Sequence, residues 1–138
     1  MDERGGVGKT ATAGYQIGVR RTLPYSEEQV WALLLSPDGL RVWLGGPAEI
    51  VPGAPFRLDN GTSGEIRVYK PWSHVRLTWR PTGWPVPSTL QIRVIPAHRK
   101  TTLSFHQDGL AGAVERAAMK AHWEGVIGHL AEMLKRRA

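Results

Sequence analysis

The string Gly5-Gly6-Val7-Gly8-Lys9-Thr10 ends like a phosphate-binding loop, in which backbone N–H groups, a lysine and a hydroxyl converge on phosphate oxygens. That chemistry needs an apolar strand before the loop and a helix after it. Only four residues precede Gly5, and residues 11–14 lead into a strand-like run, so no nucleotide site is expected. The five histidines, His74, His98, His106, His122 and His129, show no HxxxH or HExxH spacing, and His122 and His129 stand seven residues apart, too far for one metal. Cysteine is absent, which excludes disulfides, thiolate zinc sites and a cysteine nucleophile. Glu49, Asp59 and Glu65 fall in strand-like segments without forming an inward carboxylate pair. The spacing therefore names no catalytic residue, metal or cofactor, and an enzyme is not the expected reading.

What remains is an inward set of aromatic and aliphatic side chains with one amide among them. Tyr15, Ile17 and Val19 alternate with polar residues as in a strand. Ser26 before Glu27-Glu28-Gln29 marks a helix start, with Val30, Trp31, Leu34 and Leu35 as its apolar face, and Ser36-Pro37 opens a second short helix through Trp43. Alternation then predicts strands over 65–70, 74–80, 89–95 and 101–107, with weaker segments at 49–51 and 55–59 and a turn at Asn60-Gly61. From 111 to about 136 the period becomes helical, and Met119, Trp123, Ile127, Leu130 and Leu134 form a stripe that Val126 and Met133 widen. Gly125 and Gly128 inside this helix suggest a close backbone approach or a small-residue gap against the sheet.

A curved antiparallel sheet buries one face by wrapping something, and the long C-terminal helix is the one element large enough. The expected fold is α+β of the helix-grip kind: a curved antiparallel sheet around a long C-terminal helix, with two short helices after the first strand. A cavity between sheet and helix would be lined by Trp43, Phe56, Leu77, Trp79, Leu90, Ile92, Phe105, Gln107, Met119, Trp123 and Ile127. Gln107, inward and polar, either finds a backbone or water partner or orients the polar end of a ligand.

The 138 residues, 41% hydrophobic, suit one domain over 15–138 behind a Gly- and Thr-rich flexible lead over 1–14. A net charge of +6 invites a nucleic-acid reading, but half of it is Lys135, Arg136 and Arg137, which suit a helix C-terminus. Arg67, Arg76 and Arg93 alternate with apolar residues and belong on the outer face of the sheet beside Thr78, Gln91 and Thr102. No exposed aromatic ladder accompanies them, so nucleic acid is not the expected partner. The longest apolar run, residues 30–35, is far short of the roughly 20 residues of a membrane span. With no apolar secretory start, a cytoplasmic monomer or homodimer is expected.

Several blocks resemble a known family: Glu28-Gln29-Val30-Trp31, Ser36-Pro37-Asp38-Gly39-Leu40-Arg41-Val42-Trp43, and Gly64-Glu65-Ile66 leading through Lys70-Pro71 to Val75-Arg76-Leu77-Thr78-Trp79. Leu103-Ser104-Phe105-His106-Gln107-Asp108-Gly109-Leu110 and His122-Trp123-Glu124-Gly125 follow in order. Together they look like the bacterial SRPBCC proteins, in the branch similar to the ATPase activator of the ninety-kilodalton heat-shock chaperone. The resemblance implies a START-like fold, related to the birch-pollen allergen and polyketide cyclases, with a cavity under the long helix. Gln107 stands where many members have His. Binding of a hydrophobic, lipid-like small molecule is the leading expectation. An interaction module for a chaperone or other protein is the alternative, and a polyketide cyclase-like enzyme a further one.

Overall fold

Two serines organise the helices that follow the first long strand. A computed structural model describes residues 9–10 and 14–137. In it Ser26 caps α1 (Glu27–Leu35) through a reciprocal box: its Oγ accepts from the Gln29 N–H at 3.1 Å, and Gln29 Oε1 accepts from the Ser26 N–H at 2.9 Å. Ser36 ends that helix and begins α2 (Pro37–Trp43): its Oγ donates to the Leu33 carbonyl at 2.6 Å and accepts from the Gly39 N–H at 3.0 Å. The corner is tight enough to require glycine, since a Cβ on Gly39 would stand 1.8 Å from the Leu33 oxygen. Trp43 then locks the pair by donating its indole N–H to the Leu34 carbonyl at 2.8 Å. Leu33, outside the expected apolar face of α1, is buried with Val30, Trp31 and Leu34, while Leu35 is half-buried.

The strands are β1 (Lys9–Thr10), β2 (Gly14–Leu23), β3 (Pro55–Arg57), β4 (Ser63–Lys70), β5 (His74–Trp79), β6 (Ser88–Ala97) and β7 (Lys100–Leu110). They form one antiparallel, curved sheet in the order β1-β2-β7-β6-β5-β4-β3, and α3 (Ala113–Arg137) packs against β2 and β7. This is the expected α+β helix-grip architecture. Residues 49–51 are a correction: they form no strand. Pro47 and Pro52 bracket them and remove backbone donors, and the sheet edge is taken instead by Gly53 and Ala54, which exchange bonds with Ile66, and by β3.

Of the phosphate-loop string, Gly5 to Gly8 lie outside the described residues. Lys9 and Thr10 pair with Tyr15 and Gly14, so extended chain stands where a phosphate loop needs a helix. The rest of the lead, residues 1–8 and 11–13, also lies outside the described residues.

Asn60-Gly61 turns the chain as expected, with Gly61 at φ +90° and the Asn60 side chain accepting from the Thr62 N–H at 2.9 Å. The β6–β7 hairpin closes on His98 and Arg99, both at positive φ, which extends both strands beyond their expected ends. Gly125 and Gly128 are a second correction, because a Cβ on either would meet nothing within 4 Å and neither marks a close approach.

Candidate functional site

Alternation on three neighbouring strands brings Trp79, Ser88 and Gln107 to the inner face, where α3 lays Trp123 over them. These four residues form one chain of hydrogen bonds. The Trp123 indole N–H donates to Gln107 Oε1 at 2.8 Å, Gln107 Nε2 donates to Ser88 Oγ at 2.9 Å, and Ser88 Oγ donates to the Trp79 carbonyl at 2.6 Å. Gln107 and Trp123 are both 0% exposed. The amide expected to meet backbone, water or ligand is thus partnered by two side chains, and each of its heavy polar atoms is satisfied.

Aromatic rings surround this chain. Phe105 stacks on Trp123 with centroids 4.9 Å apart and planes 17° apart, and Trp79 lies 5.4 Å from Trp123. Trp84, from the β5–β6 loop, meets Trp79 edge-on at 6.2 Å. Arg80 positions that loop by donating from Nε to the Trp84 carbonyl at 2.7 Å. His122 stacks over Trp79 at 6.1 Å and meets Trp123 edge-on at 4.6 Å. Although His122 presents an edge to solvent, burial of its ring pushes its imidazole pKa below the ordinary 6.5, so it is neutral at physiological pH. The Trp79 indole N–H, on a residue only 7% exposed, has no hydrogen-bond acceptor among the described residues. An orphan donor of this kind costs on the order of 1–3 kcal/mol in the folded chain.

The expected lining residues separate in the fold. Trp79, Phe105, Gln107 and Trp123 come together in this cluster. Leu77, Leu90 and Ile92 are buried on the same sheet face, in register with Gln107 and Phe105, as plain core. Ile127 is buried on α3, and Met119 is half-buried one turn before Trp123.

Trp43 is committed to α1 through the Leu34 carbonyl, and Phe56 lines an open edge groove of about 620 Å³ with Gly64, Arg80 and Pro87. Sequence reasoning passed over Ser88 and Trp84, and weighed His122 as a metal ligand rather than as part of this cluster. Ser88 shares the parity of Leu90 and Ile92 and so was legible as inward, whereas Trp84 sits in a proline-rich loop without period. The buried polar residues, Thr62, Ser88, Thr101, Thr102 and Gln107, include no charged side chain among the described residues.

A curved antiparallel sheet gripping one long helix, with an aromatic cluster between them, defines an SRPBCC-type helix-grip protein. Residues 24–135 match the family described as Activator of Hsp90 ATPase homolog 1-like protein, and the chain belongs to that family. The resemblance carried by the sequence blocks is therefore met.

Similar solved structures include DynU16, from the dynemicin biosynthetic locus, at 23% identity and TM-score 0.78 over 87% of this chain and 47% of that one. This chain therefore spans about half the length of DynU16. MLL2253 from Mesorhizobium loti matches at 21% identity and TM-score 0.76, covering 89% of this chain and 98% of that one. The Aha1 dimer from Colwellia psychrerythraea matches at 17% identity and TM-score 0.68 over 86% and 94%. At these identities the likeness is one of fold. No curated protein is a significant sequence match. No helix among the described residues is long and apolar enough to cross a membrane.

Proposed function

We propose that the protein binds a hydrophobic, uncharged small molecule at the aromatic end of the core, between the β5–β6 loop and the first half of α3. The observation that carries this reading is the buried Trp79 N–H, a donor with no acceptor among the described residues, in a nest of rings formed by Trp84, His122 and Trp123. A flat ligand with one carbonyl or ether oxygen would satisfy that donor and stack on the same rings. Entry would require Trp84 and His122 to swing outward, and both are side chains at the rim, the one half-buried and the other exposed. The deep end, where Gln107 is fully engaged, would stay closed.

Native mass spectrometry of freshly purified protein, followed by thermal shift with planar ketones and quinones, tests this. A co-purified adduct or a saturable shift is expected, with affinity falling roughly tenfold in Trp79→Phe. A clean apo mass together with no shift across the panel would sink the reading. Protein interaction of the chaperone-activator kind is the second reading, supported by the family match over residues 24–135. A cyclase-like reaction is the third, supported by the neutral His122 imidazole at the same cluster.

A further inference from the structure

The outer face of the sheet gathers cations in register. Lys70 pairs with His74, His74 with Arg93, Arg93 with Ser104 and Ser104 with Arg20, which makes one row across five strands. The next row holds Val68, Arg76, Gln91, His106 and Gly18, and Arg67 sits beside Val68 at the bulge in β4. Arg20, Arg67, Lys70, Arg76 and Arg93 thus share one face with two imidazoles.

The described ion pairs, Arg41–Asp38 and Lys120–Glu124, involve none of these five, and no described carboxylate lies within 4 Å of any of them. Arg76 is held upright by Gln91, whose Oε1 accepts from both Nε and Nη2 at 3.0 and 2.9 Å. Beside this row runs a groove of about 720 Å³ lined by Arg67, Arg76, Gln91 and His106, with Asp108 as its one acidic group. The field is felt locally: burial, then Arg93, Arg76 and Lys70, hold the His74 imidazole below the ordinary 6.5.

From this arrangement we infer that the outer sheet face docks an acidic polypeptide segment of a partner protein. Cross-strand neighbours stand roughly 4.8 Å apart, so Lys70, Arg93 and Arg20 recur about every 10 Å, close to the roughly 9 Å of one three-residue turn of a polyproline-II segment. Carboxylates three residues apart in that conformation share a face and meet successive cations of the row, and guanidinium forks receive them bidentately. Asp108 fixes polarity by repelling acidic groups from its end of the groove. Base stacking finds no ladder of rings along the row among the described residues: Tyr69 stacks on Trp31 at 6.1 Å, and Trp72, tilted against Trp31 at 6.3 Å and 52% exposed, is a single ring at the β4–β5 turn. The inference is independent of the small-molecule reading, which concerns the opposite face.

Fluorescence anisotropy with a labelled peptide of about 15 residues carrying Glu at every third position tests it, with its Gln analogue and an oligothymidylate of similar length as controls. Binding to the Glu peptide alone is expected, weakened several-fold between ~50 and ~200 mM salt. Arg76→Gln together with Arg93→Gln should weaken it roughly tenfold, whereas Lys135→Gln at the end of α3 should not. Circular dichroism and melting curves confirm that each variant is folded, and Arg20→Gln is a second variant if the double one is not. No binding at low salt, equal loss in Lys135→Gln, or tighter binding of the oligothymidylate would each overturn the inference.

Discussion

Gln107→Leu isolates the internal hydrogen-bond chain. The substitution keeps an inward side chain of similar volume and removes two bonds, one of 2.8 Å from the Trp123 indole and one of 2.9 Å to Ser88. Ser88 keeps its stronger commitment, the 2.6 Å bond it donates to the Trp79 carbonyl, so its loss is small. Trp123 is different: its N–H, on a residue 0% exposed, is left with no acceptor. Leaving a buried donor unsatisfied costs about 1–3 kcal/mol, and the leucine returns part of this because no amide is desolvated. A net loss of about 1–2 kcal/mol follows, or a fall in Tm of roughly 3–10 °C at this chain length.

A double-mutant cycle with Trp123→Phe separates this from simple repacking. Phe at 123 removes the donor, so the double variant should be less destabilised than the sum of the singles by about 1 kcal/mol. Scanning calorimetry or urea unfolding of the four proteins measures it. A neutral or stabilising Gln107→Leu that adds strictly to Trp123→Phe would refute the claim that these residues act as one network. In the same protein, ligand affinity should be unaffected by Gln107→Leu, because the proposed site lies toward Trp84 and His122 and not at the amide.

The two glycine environments make opposite predictions for alanine. Gly39→Ala drives a Cβ against the Leu33 carbonyl and should cost several kcal/mol, read as loss of cooperative melting or a large fall in Tm, whereas Gly125→Ala meets open space in a helix and should add about 1 kcal/mol. For pH, His122 and His74 both have folded pKa values lowered from 6.5, chiefly by burial, so the unfolded chain binds their protons first. Their stability contribution is present above pH 6.5 and declines as pH falls through the lowered folded values. Tm followed from pH 7.5 downward should drop across that window, and His122→Gln should flatten the profile; an unchanged profile in both His122→Gln and His74→Gln would contradict the assignment.

Most elements were legible because they rest on local chemistry. Ser26 with Gln29, and Ser36 with Pro37, announce helix starts by residue type alone, and alternation placed Leu77, Leu90, Ile92 and Phe105 on one face before any pairing was known. Residues 49–51 misled because Glu-Ile-Val has strand propensity, while the neighbouring prolines decide whether its backbone can join a ladder. The His98-Arg99 turn was not legible for a related reason: neither residue is glycine or asparagine, yet register across β6 and β7 holds both at positive φ.

The site was only half legible, and the missing half is tertiary. Periodicity can say that Gln107 faces inward; it cannot say that Trp123, sixteen residues later on a helix, turns its N–H toward the same oxygen. That single contact decides where the proposed ligand site can lie. An inward amide with free valences would have anchored a ligand deep under α3, but one joined to both Trp123 and Ser88 closes the deep end and ties helix to sheet. The unfulfilled donor is displaced to Trp79, at the end of β5, where the neighbouring rings come from a loop and from the early part of α3. A polar group of a ligand gains most where the protein has left its own group unpaired, since the desolvation cost of that group is already present in the free state. The aromatic rim around Trp79 meets that condition and the amide does not, so affinity should respond to Trp79, Trp84 and His122 while stability responds to Gln107 and Trp123.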